Sequence, residues 1–231
     1  MYKISVPMMN SSVTAETRNT YLKQIQDAGV QRVFLALADL FKSEDEESRT
    51  LASIRENVEF FERNNIEACV WMETTLGHGG VFALNYADHS KRLFPENTER
   101  VNLNGEVLDN TCCPLHDSVR QIIARQVASV AKSGARIILL DDDFRMSMGS
   151  RASHCCVCDL HMKRMMELTG EELSLEKIED LVFHSPSNKY RKAWLQAQGE
   201  GLRMLAEDIR SAVDNVDPTV RIAMCSTPAV W

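Results

Sequence analysis

The sequence predicts an α/β fold of the TIM-type (β/α)-barrel kind, and three observations lead there. Short apolar strands alternate along the chain with amphipathic helical stretches, which implies a parallel sheet covered by helices. The turns from helix to strand are short and carry Gly or Asn, whereas the loops from strand to helix are long. A (β/α) barrel builds its functional face from the long loops and keeps the other face for stability. Finally, Ile137-Ile138-Leu139-Leu140 runs into Asp141-Asp142-Asp143-Phe144. Four apolar residues in a row read as a strand buried on both faces, and three carboxylates at its tip are costly unless something uses or neutralises them.

Strands are expected near residues 3–8, 32–37, 67–72, 136–140 and 220–224. Between them, Leu51, Ile54, Val58 and Phe61 share one helical face. Val119, Ile122, Ile123, Val127 and Val130 form a second stripe, and Leu202, Leu205, Ala206, Ile209 and Val213 a third. Such stripes are helix faces packed on a sheet. Gly29, Asn64-Asn65 and Gly134 mark the tight turns before strands two, three and four. The third strand-to-helix loop is the longest, about residues 74–115, and residues 169–187 read as an inserted loop or small helical excursion. A Rossmann-like sheet is disfavoured, because strand one leads into Met8-Met9-Asn10-Ser11-Ser12 with no Gly-rich phosphate turn. Four βα units and a fifth strand are legible, where a closed barrel has eight strands in roughly 250 residues. Residues 1–231 are therefore expected to be a single domain, the N-terminal portion of a barrel, with about five of its eight strands. An open sheet leaves strands one and five with unpaired edges, so the chain alone is expected to be poorly soluble, inactive or self-associated into a homo-oligomer.

Composition narrows the function. The chain has 231 residues, a formal charge of −7, and 44% hydrophobic and 26% charged residues, ordinary for a soluble globular protein. No basic patch with interleaved aromatics appears, which argues against a nucleic-acid partner. No long uncharged apolar run exists, so no membrane span is expected. The segment Met1–Pro7 is too short in apolar length for a signal peptide, and a cytoplasmic location follows as the expectation. Seven cysteines in such a chain read as reduced thiols or metal ligands rather than a disulfide framework.

Those cysteines carry the strongest local signal. Cys156-x-Cys158-x-x-His161 places two thiols and an imidazole within six residues. Thiolate and imidazole suit a tetrahedral zinc, whose structural sites need four such ligands. Cys155 is adjacent to Cys156, but neighbouring residues rarely aim at one ion. Cys112-Cys113, in the long third loop, can supply the fourth bond. At the acidic tip, Asp142 projects opposite to Asp141 and Asp143 because side chains alternate along a strand. Arg145 and Arg151 lie near enough in sequence to pair with them. At the end of strand three, Glu73 is placed to line the same mouth, and His78 sits between Gly77 and Gly79-Gly80, where the backbone can approach a ligand closely. Trp231 and Phe144, at strand tips, offer aromatic faces to a sugar ring or to rim packing.

At these residues the chain resembles (β/α)-barrel glycoside hydrolases of the family-42 β-galactosidase type. Cys113-Pro114-Leu115-His116-Asp117-Ser118-Val119-Arg120 looks like that family's Cys, Pro and helix-starting Arg after strand three. Cys156-Val157-Cys158-Asp159-Leu160-His161 looks like its C-x-C-x-x-C zinc segment, with His in place of the last Cys. The resemblance implies one structural zinc at the barrel rim, held by Cys113 or Cys112 with Cys156, Cys158 and His161. It implies cleavage of a glycosidic bond by paired carboxylates. Family members carry Asn-Glu at the end of strand four, where this chain has Asp-Asp-Asp. Asp142 and Asp143 are the catalytic candidates there, and the family's second carboxylate, on strand seven, would lie beyond Trp231. Glu73, His78, Asp141, Arg145 and Trp231 are the candidates for contacting a carbohydrate substrate. Two other functions fit the same residues: a barrel enzyme whose aspartates hold magnesium or manganese, and a non-catalytic, zinc-stabilised carbohydrate-binding module.

Overall fold

The computed structural model describes residues 3–77, 93–146 and 155–225. The chain divides into two compact units, the first drawn from Met1–Thr75, Ile123–Asp142 and Ile209–Trp231, the second from Leu76–Ile122 and Asp143–Asp208.

The first unit holds five parallel strands: β1 (Ser5–Met9), β2 (Arg32–Leu37), β3 (Glu67–Met72), β6 (Ile137–Leu140) and β7 (Arg221–Met224). They lie side by side in chain order, β1-β2-β3-β6-β7. Each new strand adds to the same edge, which is how a (β/α) barrel winds; a Rossmann sheet starts in the middle and reverses. That order removes the Rossmann alternative, and all five expected strands are present. Val33, Leu35, Val70 and Ile138 are fully buried, as continuous apolar runs in a parallel sheet require. The edge strand β1 is largely exposed along its length.

Helices return the chain between strands. α1 spans Arg18–Asp27 and α2 Glu44–Arg63. Ser43 caps α2, its Oγ accepting the Glu46 N–H at 3.2 Å. Glu44 through Glu47 fill the first turn, where the helix dipole favours acids. Ile54, Val58 and Phe61 are buried as the stripe requires. So are Val127 and Val130 of α3 (Asp117–Ala131), and Ile209 and Val213 of α6 (Lys189–Asp214). Ala206 is exposed, because the buried arc of α6 is narrower than the sequence stripe. The tight turns use left-handed backbone at Gly29 (φ 68°), Asn65 (φ 63°) and Gly134 (φ 86°).

The base of the sheet is tied by charge. Glu67 opens β3 in register with Arg32 of β2 and accepts from its Nε at 2.8 Å and from Lys3 Nζ at 2.7 Å. Burial alone would raise this carboxyl, but Lys3 and Arg32 hold it below its ordinary value.

The second unit contains a feature absent from the sequence reading. Inside the long third loop, β4 (Glu99–Val101) and β5 (Val107–Cys112) form an antiparallel hairpin. Its turn is fixed by Asn102, whose Oδ1 accepts the N–H groups of Asn104 at 2.9 Å and Glu106 at 3.0 Å. α4 (Asp159–Thr169), α5 (Leu175–Ile178) and a π-helical turn (Glu179–His184) follow, so the 169–187 excursion is helical. With the first half of α6 they enclose a core of Val157, Met165, Leu173, Ile178, Val182 and Trp194. No helix among the described residues is long and apolar enough to cross a membrane.

Candidate functional site

Cys113, Cys156, Cys158 and His161 converge within the second unit, their ligand atoms all within 4.8 Å of one another and all four side chains buried. The β4–β5 hairpin brings them together. Cys113 follows β5 directly, and its N–H donates to Thr98 O at 2.8 Å. On the same hairpin, Val101 O accepts the Val157 N–H at 2.8 Å, which aligns the segment between Cys156 and Cys158. The two cysteine segments are thus strapped to one scaffold.

Further polar groups fix the loops. The side chain of Gln198, buried on α6, brackets the backbone of Cys156: Oε1 accepts its N–H and Nε2 donates to its carbonyl, both at 2.9 Å. Arg120 closes the turn after Cys113, donating to Pro114 O and Leu115 O at 3.0 Å and to Asp208 Oδ2 at 2.8 Å. Gly201 of α6 lies under that turn, where a Cβ would meet Pro114 Cγ at 3.0 Å and the Leu115 nitrogen at 3.1 Å. Arg100 of β4 is fully buried and donates from Nη2 to the carbonyls of Met146 and Cys155. Burial works against its charge and lowers its pKa.

The distances fit a tetrahedral ion. Cys113 Sγ lies 3.7 Å from Cys158 Sγ, and both lie 3.5 Å from His161 Nδ1. A tetrahedron with metal–sulfur bonds of about 2.3 Å and metal–nitrogen bonds of about 2.0–2.1 Å has edges of about 3.8 Å between sulfurs and about 3.6 Å between sulfur and nitrogen. Three of the four side chains therefore stand at tetrahedral edge lengths, and Cys156 completes the group within 4.8 Å. Cys158 precedes the first residue of α4, where the helix dipole favours a thiolate. The hydrogen bonds of Cys113 and Cys156 toward its sulfur, with those of His116 and His161, hold its pKa well below an ordinary thiol. Burial pushes Cys113 up well above the ordinary value and Cys156 up to about 12.

The alternatives left open by sequence separate cleanly. Cys112 ends β5 and turns its Sγ toward Leu76 O at 3.5 Å, and Cys113, one residue on, joins the cluster. Cys155 lies in the apolar core instead, its thiol pushed up to about 12 by burial. Gln198 and Arg100 escaped sequence reading: one sits amid an amphipathic helix, the other in a three-residue strand, and neither position has a motif. Arg120 was noticed only through its place in the Cys113 segment.

The acidic tips fall in both units. In the first, Met72 of β3 and Leu140 of β6 are the last registered pair. Glu73 and Asp141 follow them directly and both are buried. Their backbones continue the ladder, Glu73 N–H to Leu37 O at 3.0 Å and Asp141 N–H to Met72 O at 3.1 Å. Asp142 is half-buried in the turn beyond. Cys225, past the end of β7, has its thiol pushed up by burial and by the charges of Asp141 and Asp142. In the second unit, Asp143 is fully buried and its Oδ2 accepts the Gly77 N–H at 2.8 Å. Gly77 takes φ 109°, a conformation glycine adopts without strain. The Arg145 N–H donates to Asp143 O at 2.7 Å. His78 and Trp231 lie outside the described residues.

No protein-family model and no curated protein matches the sequence. Among solved structures, the chain is similar to alpha-L-fucosidase isoenzyme 2 from Paenibacillus thiaminolyticus, with a TM-score of 0.57 and 15% identity over 97% of this chain. The match takes in 32% of the fucosidase chain, so this chain spans about a third of its length. A debranching enzyme from Nostoc punctiforme aligns over 90% of this chain and 64% of its own, at 11% identity and a TM-score of 0.35, too distant to bear on the fold. The likeness to the fucosidase is one of fold, and it agrees with the strand order.

Proposed function

We propose that this chain is the N-terminal five-strand portion of a single-domain (β/α)-barrel glycoside hydrolase, acting on a carbohydrate and carrying a structural zinc. The observation that carries the reading is the placement of Glu73 and Asp141 beyond the last registered pair of β3 and β6. Barrel enzymes draw their catalytic groups from that end of the strands. The fold likeness to a fucosidase supports it. Asp142 and Asp143 are the residues we propose for the chemistry, one acting as acid/base or nucleophile. The partner carboxylate would come from a later strand, beyond Trp231, as in two-carboxylate glycosidases. Glu73, Asp141, Arg145, His78 and Trp231 would bind sugar hydroxyls and ring faces.

Zinc is the metal we propose for the cluster of three cysteines and one histidine. Its d¹⁰ ion tolerates mixed sulfur and nitrogen ligands and prefers a tetrahedron. Four protein ligands leave no open position, so its work there is to hold loops, not to activate water. Reduced thiolates of this kind suit a cytoplasmic location.

The test is turnover. A chain extended beyond Trp231 is assayed against a panel of nitrophenyl glycosides, with and without EDTA and added magnesium. Release of nitrophenol that survives EDTA supports the reading. Activity lost to EDTA and restored by magnesium would instead assign the aspartates to a catalytic cation. Binding of glycosides without turnover would make the protein a carbohydrate-binding module.

A further inference from the structure

Two short segments meet at the cysteine cluster, and both read Cys-x-x-His: Cys113-Pro114-Leu115-His116 and Cys158-Asp159-Leu160-His161. His161 is one of the four gathered donors. His116 is outside that group, and no role assigned so far uses it. It stands against one member of the group, for its imidazole approaches the Cys158 sulfur.

The backbone fixes where that imidazole starts. The His116 N–H donates to Cys113 O at 3.2 Å, and the His116 carbonyl accepts the N–H groups of Val119 at 3.1 Å and Arg120 at 3.2 Å. The Arg120 side chain locks the two residues between, through the carbonyls of Pro114 and Leu115. His116 is therefore held as one piece with Cys113, whereas Cys158 belongs to the other cysteine segment, directly ahead of α4. The ring is half-buried, and its Nε2 is buried with no aligned hydrogen bond among the described residues.

Sulfur is a weak acceptor as a thiol and a stronger one as a thiolate. Three thiolates and a neutral imidazole around a divalent ion sum to one net negative charge, in a cluster whose four side chains are all buried. A buried charge is costly unless hydrogen bonds satisfy it. Donors outside the ligand set meet that need, and they orient the ligands and tune their basicity.

We propose that His116 is such an outer donor: its ring N–H hydrogen-bonds the Cys158 sulfur, draws charge off that ligand and ties the Cys113 segment to the Cys158 segment. The inference rests on the zinc reading and adds a fifth residue to the centre, a positioning residue that does not itself bind the ion.

The experiment loads this chain with cobalt(II), which takes tetrahedral zinc sites and whose sulfur-to-metal charge-transfer band reports the electron density on the thiolates. His116→Phe keeps the bulk of a ring and removes both nitrogens, and His116→Ala, which removes the ring outright, is read beside it in the same way. His116→Gln and His116→Asn each return an amide N–H, one near the place of Nε2 and the other near that of Nδ1. Without the donor, the band is expected to move to longer wavelength and zinc affinity, measured against a chromogenic chelator, to fall by about 10–100-fold. At least one amide variant is expected to bring both back toward wild type. Circular dichroism verifies that each variant folds. A wild-type band that loss of the ring leaves in place overturns the donor and leaves the metal centre standing, as does a shift that neither amide reverses. No thiolate-to-cobalt band in wild type overturns the metal centre itself, and this donor with it.

Discussion

Cys113 and His161, separated by 48 positions in sequence, bring Sγ and Nδ1 to 3.5 Å in the buried core of the second unit. One follows a hairpin strand and the other sits in the first turn of α4. Replacing either should therefore cost both the ion and the packing of the two loops. His161→Ala and Cys158→Ser are each expected to lower metal affinity by more than roughly a hundredfold, beyond the usual cost of losing an outer hydrogen bond. Competition with a chromogenic chelator measures it. Limited proteolysis should then cut within the second unit first.

Metal binding must expel protons. Cys113 and Cys156 are held protonated by burial, Cys156 up to about 12 from an ordinary 9.0. Loading at neutral pH should therefore release about two protons per ion. Affinity should rise with pH through the neutral and alkaline range. The metal-free chain should show the opposite trend. A thiol whose folded pKa is raised stabilises the fold below its unfolded pKa, and that contribution is lost as pH climbs toward the folded value. Calorimetry in buffers of differing protonation enthalpy gives the proton count. Melting curves of the stripped protein above about pH 9 give the second sign.

Gln198 is expected to be a positioning residue. Its amide meets both backbone polar groups of Cys156, so Gln198→Leu leaves a buried donor and a buried acceptor unpaired. About 1–3 kcal/mol is expected for each. Because the ligand's backbone is loosened as well, metal affinity should fall by about 10–100-fold. A merely structural glutamine would lower the melting temperature of the stripped and loaded protein equally; a positioning one lowers the loaded protein's more.

The strands were legible because their composition leaves few alternatives. Ile137–Leu140 is an uninterrupted apolar run, and only a strand buried on both faces asks for that. The hairpin was not. Glu99–Val101 has three residues, two of them charged, and its register shifts beside Arg100, so no period can emerge. Its one readable sign was Asn104-Gly105 between two short runs, with Gly105 at φ 79°. The metal ligands were legible by spacing within one segment, but the choice between Cys112 and Cys113 depends on where β5 stops.

At the strand tips, Asp142→Asn and Asp143→Asn keep size and remove a charge. In an extended, active chain, at least one should lower kcat by about a hundredfold or more with the fold retained. Asp143 also holds Gly77, so its variant should lose some thermal stability. Near-normal turnover in both would remove the acidic tip of β6 from the chemistry.

The zinc content of the protein, purified without added metal, tests the account most directly. Elemental analysis beside a thiol titration should find about one zinc per chain, with Cys113, Cys156 and Cys158 reacting only after a chelator removes the ion, while Cys69, Cys112 and Cys155 stay slow by burial with or without it. A folded protein free of zinc, with Cys113, Cys156 and Cys158 open to titration before any chelator is added, would contradict it.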